Sequence, residues 1–156
     1  MLTRQQALVD VQDGQSLVFQ VARRLLSPNT WQGCHWRQKH RETTAWEKAL
    51  RGALSLSSDA RAVWTQLAAV QQLPRARWER RRVFVTRMIP SGRFFIKDED
   101  NLRFSTKPLN DALKRLGLIC QDSHAWLEQP TPTQMVSPDG MDWTLITVGP
   151  AQGSEQ

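Results

Sequence analysis

Three carboxylates stand in succession in the run Lys97-Asp98-Glu99-Asp100-Asn101, and another follows at Asp122. In an extended chain side chains alternate, so Asp98 and Asp100 would share one face and Glu99 the other. Two carboxylates on one face repel each other unless a cation or a shared proton compensates. Hard oxygen ligands suit Mg2+ or Mn2+. A solvated acidic turn is the plainer alternative. Between the two acidic stretches lie Lys107-Pro108-Leu109-Asn110-Asp111-Ala112-Leu113 and then Gly117. A short helix closed by Gly117, a good residue just past a helix end, would turn the chain back and bring Asp122 towards Asp98 and Asp100. Three convergent carboxylates and a Lys are the parts of a metal-dependent phosphodiesterase. Carboxylates hold the metal, the metal activates water and neutralises phosphate charge, and a Lys stabilises the negative transition state.

The elements that must position these groups can be read from pattern. Leu17-Val18-Phe19-Gln20-Val21-Ala22 reads as a first strand after a polar terminal segment, 1–16. Ser27-Pro28-Asn29 is a turn, and Trp31 to Arg41 a basic, aromatic loop. A helix is expected from about Glu42, with Ala45, Trp46, Ala49, Leu50 and Ala53 on one face. Ser57-Ser58-Asp59 would cap a second helix running towards Pro74. Strands are expected at Val83-Phe84-Val85, from Arg93 to Ile96, and at Trp143 to Val148. A third helix spans about Pro108–Leu116, with a break at 103–106 so that Pro108 falls in its first turn. Pro130 to Pro132 reads as a loop and Asp139-Gly140 as a turn. Strands and helices mix without a regular βαβ alternation, which predicts a single small α+β domain, a mixed sheet packed on helices. The domain would cover 17–148, with 149–156 a loose tail.

Charge sets the partner class. The 156 residues carry 21 Lys and Arg against 15 Asp and Glu, a formal charge of +6, and sixteen of the basic residues are Arg. The arginine fork matches phosphate oxygens, so a polyanion is expected, nucleic acid first. The stretch from Arg75 to Arg87 holds six arginines; within a strand Arg80 and Arg82 would share one face and Arg81 the other. No apolar run approaches the ~20 residues of a membrane span. The first fifteen residues lack the apolar stretch of a signal peptide. Cys34 and Cys120 have no CxxC spacing, and reduced thiols in a cytoplasm are the simpler expectation. Trp46, Trp64 and Trp143 lie on apolar patterns and are expected in the core. Trp31 and Trp36 would either stack on bases of a nucleic acid or pack on the first helix. His35, His40 and His124 are read as surface or packing residues.

The order D-x-D-N-L, then K-x-x-x-D-A-L, then Gly, then Asp resembles the RusA-type Holliday junction resolvases (crossover junction endodeoxyribonucleases). The resemblance implies a RusA-like fold over 17–148 and a homodimeric, Mg2+-dependent endonuclease, with Mn2+ the other cation considered. It resolves four-way or other branched DNA in a bacterial cytoplasm and serves bacterium, prophage or phage in recombination and repair. It places the catalytic groups on Asp98, Asp100, Asp122 and Lys107, with the three Asp as metal ligands. Asn29, Arg80, Arg81, Arg82, Arg93, Lys97 and Arg103 become the expected DNA contacts. Lys107 stands seven residues after Asp100 where the family spacing is four, so Arg103 is the fallback for its role. The alternative is a DNA-binding relative that cleaves poorly or not at all. Segment 54–74 is longer than a minimal family member needs.

Overall fold

The structure, a computed structural model, describes residues 7–30 and 36–151, with the side chain of Trp36 outside that set. Six strands form one mixed sheet: β1 (Ala7–Gln12), β2 (Ser16–Val21), β3 (Arg81–Ile89), β4 (Leu127–Glu128), β5 (Thr133–Val136) and β6 (Trp143–Pro150). The order is β1-β2-β6-β3-β4, antiparallel from β1 to β3. Both β4 and β5 run parallel to β3, β4 beside Arg81 and Arg82 and β5 beside Thr86 to Ile89. The expected single α+β domain with a mixed sheet on helices is present.

The core forms between one sheet face and helices α1 (Trp36–Ser55), α2 (Ser58–Gln71) and α4 (Lys107–Arg115). Alternation on β2 and β6 sends Leu17, Phe19, Val21, Ile146 and Val148 inward. They meet Trp46, Leu50, Leu54, Val63, Leu67, Leu109 and Leu113. Trp46 and Trp143 are buried as expected, and Trp64 packs against the core. Ser57 caps α2, its hydroxyl accepting from the Ala60 N–H at 3.2 Å. Cys120 is a buried free thiol.

Several expectations are corrected. The polar segment 1–16 contains β1, whose six residues pair with β2, because edge pairing needs only one buried position, Ala7. Helix α1 starts at Trp36, six residues before Glu42; the rest of the expected loop, Trp31, Cys34 and His35 included, lies outside the described residues. Gly149 and Pro150 belong to β6 rather than to a tail, opposite Arg82 and Arg81. Arg93 to Ile96 is no strand: Gly92–Phe94 is a 3-10 turn capped by Ser91, and the backbone at Ile96 is held by the Gln134 side chain instead of a ladder. The acidic run is not extended either. It opens a short helix, α3 (Glu99–Phe104), so strand alternation does not apply to Asp98 and Asp100.

Candidate active site

Helix α4 is the rigid support. Leu109, Ala112 and Leu113 bury one face, which leaves Lys107, Asp111 and Lys114 on the other at i, i+4, i+7 spacing. Pro108 sits in the first turn, where a missing N–H costs nothing. At the far end Gly117 has φ +74°, its N–H bonds to Lys114 O at 3.1 Å, and the Leu118 N–H bonds to Leu113 O at 2.9 Å. This double bond pattern ends the helix in a left-handed turn.

Helix α2 clamps that turn. The Trp64 indole N–H donates to Leu116 O at 2.7 Å, and the Gln71 amide donates to Lys114 O at 2.9 Å and Ile119 O at 3.2 Å. The Leu116 and Ile119 carbonyls gain partners, and Lys114 O, already accepting from Gly117, gains a second. The segment 54–74, longer than the resemblance required, thus fixes how the chain leaves α4. Leu118, Ile119 and Cys120 then run through the core and deliver Asp122 back beside the start of α4.

The result is a charged cluster. Lys107 Nζ lies 2.5 Å from Asp122 Oδ2 and 3.1 Å from Asp111 Oδ1, and Lys39 of α1 reaches Asp111 at 3.7 Å. Partial burial by itself works against the Lys107 ammonium, but hydrogen bonds and charge from Asp122 and Asp111 outweigh it and raise its pKa. For Asp122 burial works upward, yet the Lys107 hydrogen bond and charge, with Lys114 behind, hold the carboxyl below its ordinary range. Below this pair is an amide couple: Asn110 Nδ2 donates to Gln129 Oε1 at 2.8 Å and Gln129 Nε2 returns to Asn110 Oδ1 at 2.9 Å. Lys107, Asp122, Asn110 and Gln129 line one cleft with Arg103 and His124.

Helix α3 rises between that cleft and a second one. Asp98 caps it, accepting from the Asn101 N–H at 2.9 Å, and Asp100 is exposed in its first turn. Helix α3 rests on the Pro28–Thr30 turn, so Asn29 meets Arg93, Lys97 and Asp98 around the second cleft. Ser105 and Thr106 separate α3 from α4, with Ser105 Oγ donating to Leu102 O and Thr106 Oγ1 to Arg103 O. The expected break therefore falls at the end of the 103–106 stretch.

The carboxylates are hard donors of the kind Mg2+ takes. Among the described residues, however, no group of three or more His, Cys, Asp or Glu side chains stands together as a ready cation site. Lys107 and Asp122 come together; Asp98 and Asp100 share the start of α3.

The expected DNA contacts divide. Asn29, Arg80, Arg93, Lys97 and Arg103 are exposed. Arg82 is half-buried and held by both Glu128 oxygens at 3.0 and 3.1 Å. Arg81 is corrected: its side chain is fully buried, with Nη1 on Glu79 at 2.6 Å and Nη2 on Leu67 O at 3.1 Å. It shares the inward face of β3 with Val83 and Val85, and its parity with them was a readable signal. Arg87 follows the same parity. It bonds Leu25 O, Phe94 O and Gln134, and burial, then the charge of Arg24, lowers its pKa to about 10.

No family model matches the chain, and no curated protein matches it either. Among the described residues no helix is long and apolar enough to cross a membrane.

Proposed function

We propose that the protein is a structure-selective DNA endonuclease of the RusA type that hydrolyses phosphodiester bonds at four-way junctions or other branched DNA, with Mg2+ as cofactor. The observation that carries this reading is the Lys107–Asp122 pair. Fifteen residues apart, the two groups meet because α4, the Gly117 turn and the buried 118–120 segment return the chain, as the motif order requires. Arg103 borders the same cleft, and α3 presents Asp98 and Asp100 next along the chain.

Each group has a role. Lys107, kept protonated by Asp122 and Asp111, places a fixed positive charge where a phosphate oxygen gains negative charge. Asp98, Asp100 and Asp122 are the donors that would hold the cation, which supplies an activated water and charge neutralisation when bound. Asn29, Arg93 and Lys97 on one side of α3, and Arg103 on the other, hold the backbone of the DNA. Arg80 extends that surface along the sheet. A homodimer in a bacterial cytoplasm, phage-encoded or not, would supply two such sites for paired nicks.

A second reading is a DNA-binding relative with little or no cleavage. It is favoured by one observation, that Asp122 is already engaged by the Lys107 ammonium at 2.5 Å. The two separate on a synthetic four-way junction with Mg2+, using Asp100→Asn as control. Cleavage by the parent chain and none by the variant is expected. Tight junction binding without cleavage would leave the second reading, no preference for junction over duplex would remove the structure selectivity, and no binding to either DNA would remove both readings.

A further inference from the structure

We propose that Trp78, with Trp126 beside it and Arg75, Arg77 and Arg80 around it, is a stacking site for an unpaired base of the DNA strand that passes through the Lys107–Asp122 cleft. The proposal rests on the nuclease reading and names what that site recognises beyond the phosphate.

Neither tryptophan belongs to the hydrophobic core; both are only half-buried. The rings meet edge to face, with centroids 5.5 Å apart at 75°. The Trp78 indole N–H donates to Leu73 O at 3.0 Å, which fixes the ring. The Trp126 indole nitrogen is buried without an acceptor among the described residues, so this second ring is not held by a hydrogen bond of its own. The Arg75 guanidinium lies 5.8 Å from the Trp78 ring centre. Arg75 and Arg77 form the exposed 3-10 turn before Trp78, and Arg80 is exposed two residues after it.

The local acids are committed elsewhere. Glu79 binds buried Arg81, and both oxygens of Glu128 bind Arg82. Arg75 and Arg77, on the turn that leads into the fixed indole, therefore carry positive charge that no described carboxylate offsets by an ion pair, while Arg80 feels the charge of Glu128 without pairing with it. Arginines track a phosphate backbone while an aromatic ring takes a base. A base inside a duplex has no free face, so the ligand this surface fits is an unpaired nucleotide, as a splayed fork or flap presents.

Position ties the surface to the cleft. Asp122 and His124 line the cleft, and Trp126 is four residues beyond Asp122 across a turn closed by the Trp126 N–H on Ser123 O at 2.9 Å. Four residues span at most about 14 Å. One strand can thus present a phosphate to Lys107 and a base to Trp78.

The test uses the full chain, a splayed-arm DNA fork carrying 2-aminopurine at the branch, and a blunt duplex of equal length. Trp78→Ala is expected to weaken fork binding about five- to hundredfold and to abolish the fluorescence change on binding. Duplex affinity should move less than about twofold, and Trp78→Phe should restore most of the fork affinity. Should Trp78→Ala fail to fold, Trp78→Leu, which keeps apolar bulk but has no aromatic face, must reproduce the selective loss on the fork. Equal losses on fork and duplex, or none, overturn the proposal. So does displacement of the fork by poly-glutamate as readily as by oligo-dT, which would make this an acidic-peptide site. Selective fork binding through Trp78 without cleavage would leave the stacking site standing and remove only the nuclease reading.

Discussion

Gly117→Ala tests the turn on which the candidate site depends. At φ +74° an L-residue pays about 1–2 kcal/mol of backbone strain. A Cβ there would also stand 2.9 Å from Ala68 Cβ and 3.0 Å from Ala68 Cα, and the second contact is backbone, so α2 itself must move. Overpacking of that kind costs about 1–3 kcal/mol. Alanine's smaller unfolded-state entropy returns about 0.4–1 kcal/mol. The net loss is about 1–5 kcal/mol, which for a chain of this size lowers the melting midpoint by about 2–18 °C. Gly140→Ala is the internal control: φ is +69°, but nothing lies within 4 Å of the added carbon, so only the backbone part remains. The difference between the two midpoints in a calorimetric scan isolates the packing of the turn on α2. Adding Ala68→Gly to Gly117→Ala should recover part of the loss, beyond what the single changes sum to. Equal midpoints for the two glycine variants would refute the packing argument, and with it the account of how Asp122 is aimed at Lys107.

Three further outcomes are expected. Asp122→Asn should lower stability near neutral pH, and the deficit should shrink in acid. The depressed carboxyl contributes above its unfolded pKa of about 3.9 and loses that contribution as pH falls through the lower folded value; a deficit that stays constant into strong acid would count against the pair. Raised Lys107 gives the opposite limb, losing its contribution only as pH climbs past the ordinary lysine range. Arg81→Ala should cost about 2–4 kcal/mol, by leaving a cavity and removing the buried guanidinium's bonds to Leu67 O and Glu79, with junction affinity of the folded protein unchanged in titration; a stable variant with weak binding would return Arg81 to the DNA surface. Lys107→Ala should reduce single-turnover cleavage about a hundredfold or more while altering junction affinity little; unchanged turnover would pass its role to Arg103.

Much of the scaffold was legible because it rests on local rules. The helical face of Ala45, Trp46, Ala49, Leu50 and Ala53, the Ser57 cap, Pro108 in a first turn and Gly117 past a last one each need only a few neighbours. Helix α3 was not legible, since six residues give too little periodicity and Asp98 acts through a cap rather than a face. Strand β5 hid behind prolines because its ladder partner, β3, lies more than forty residues away. The burial of Arg81 and Arg87 was within reach of strand parity; local arginine density argued the other way, and parity won because the sheet has only one inner face. The clamp from Trp64 and Gln71 was out of reach, as it joins side chains to carbonyls over 40 residues distant.

The seven-residue spacing from Asp100 to Lys107 has a physical reason in these elements. Asp98 and Asp100 ride on α3, whereas Lys107 rides on α4, and Ser105 and Thr106 separate the two helices. The lysine's position is therefore not governed by its distance in sequence from Asp100. It is governed by α4, the element whose far end, through Gly117 and the α2 clamp, also governs Asp122. Lysine and distal aspartate consequently form one rigid unit, and the paired acids of α3 form another. Against the RusA-type spacing, three extra residues between Asp100 and Lys107 would lengthen the link between the units without disturbing either. Spacing counted from Asp100 thus underrates Lys107, while spacing counted to Asp111, which it meets at 3.1 Å one helical turn on, describes it correctly.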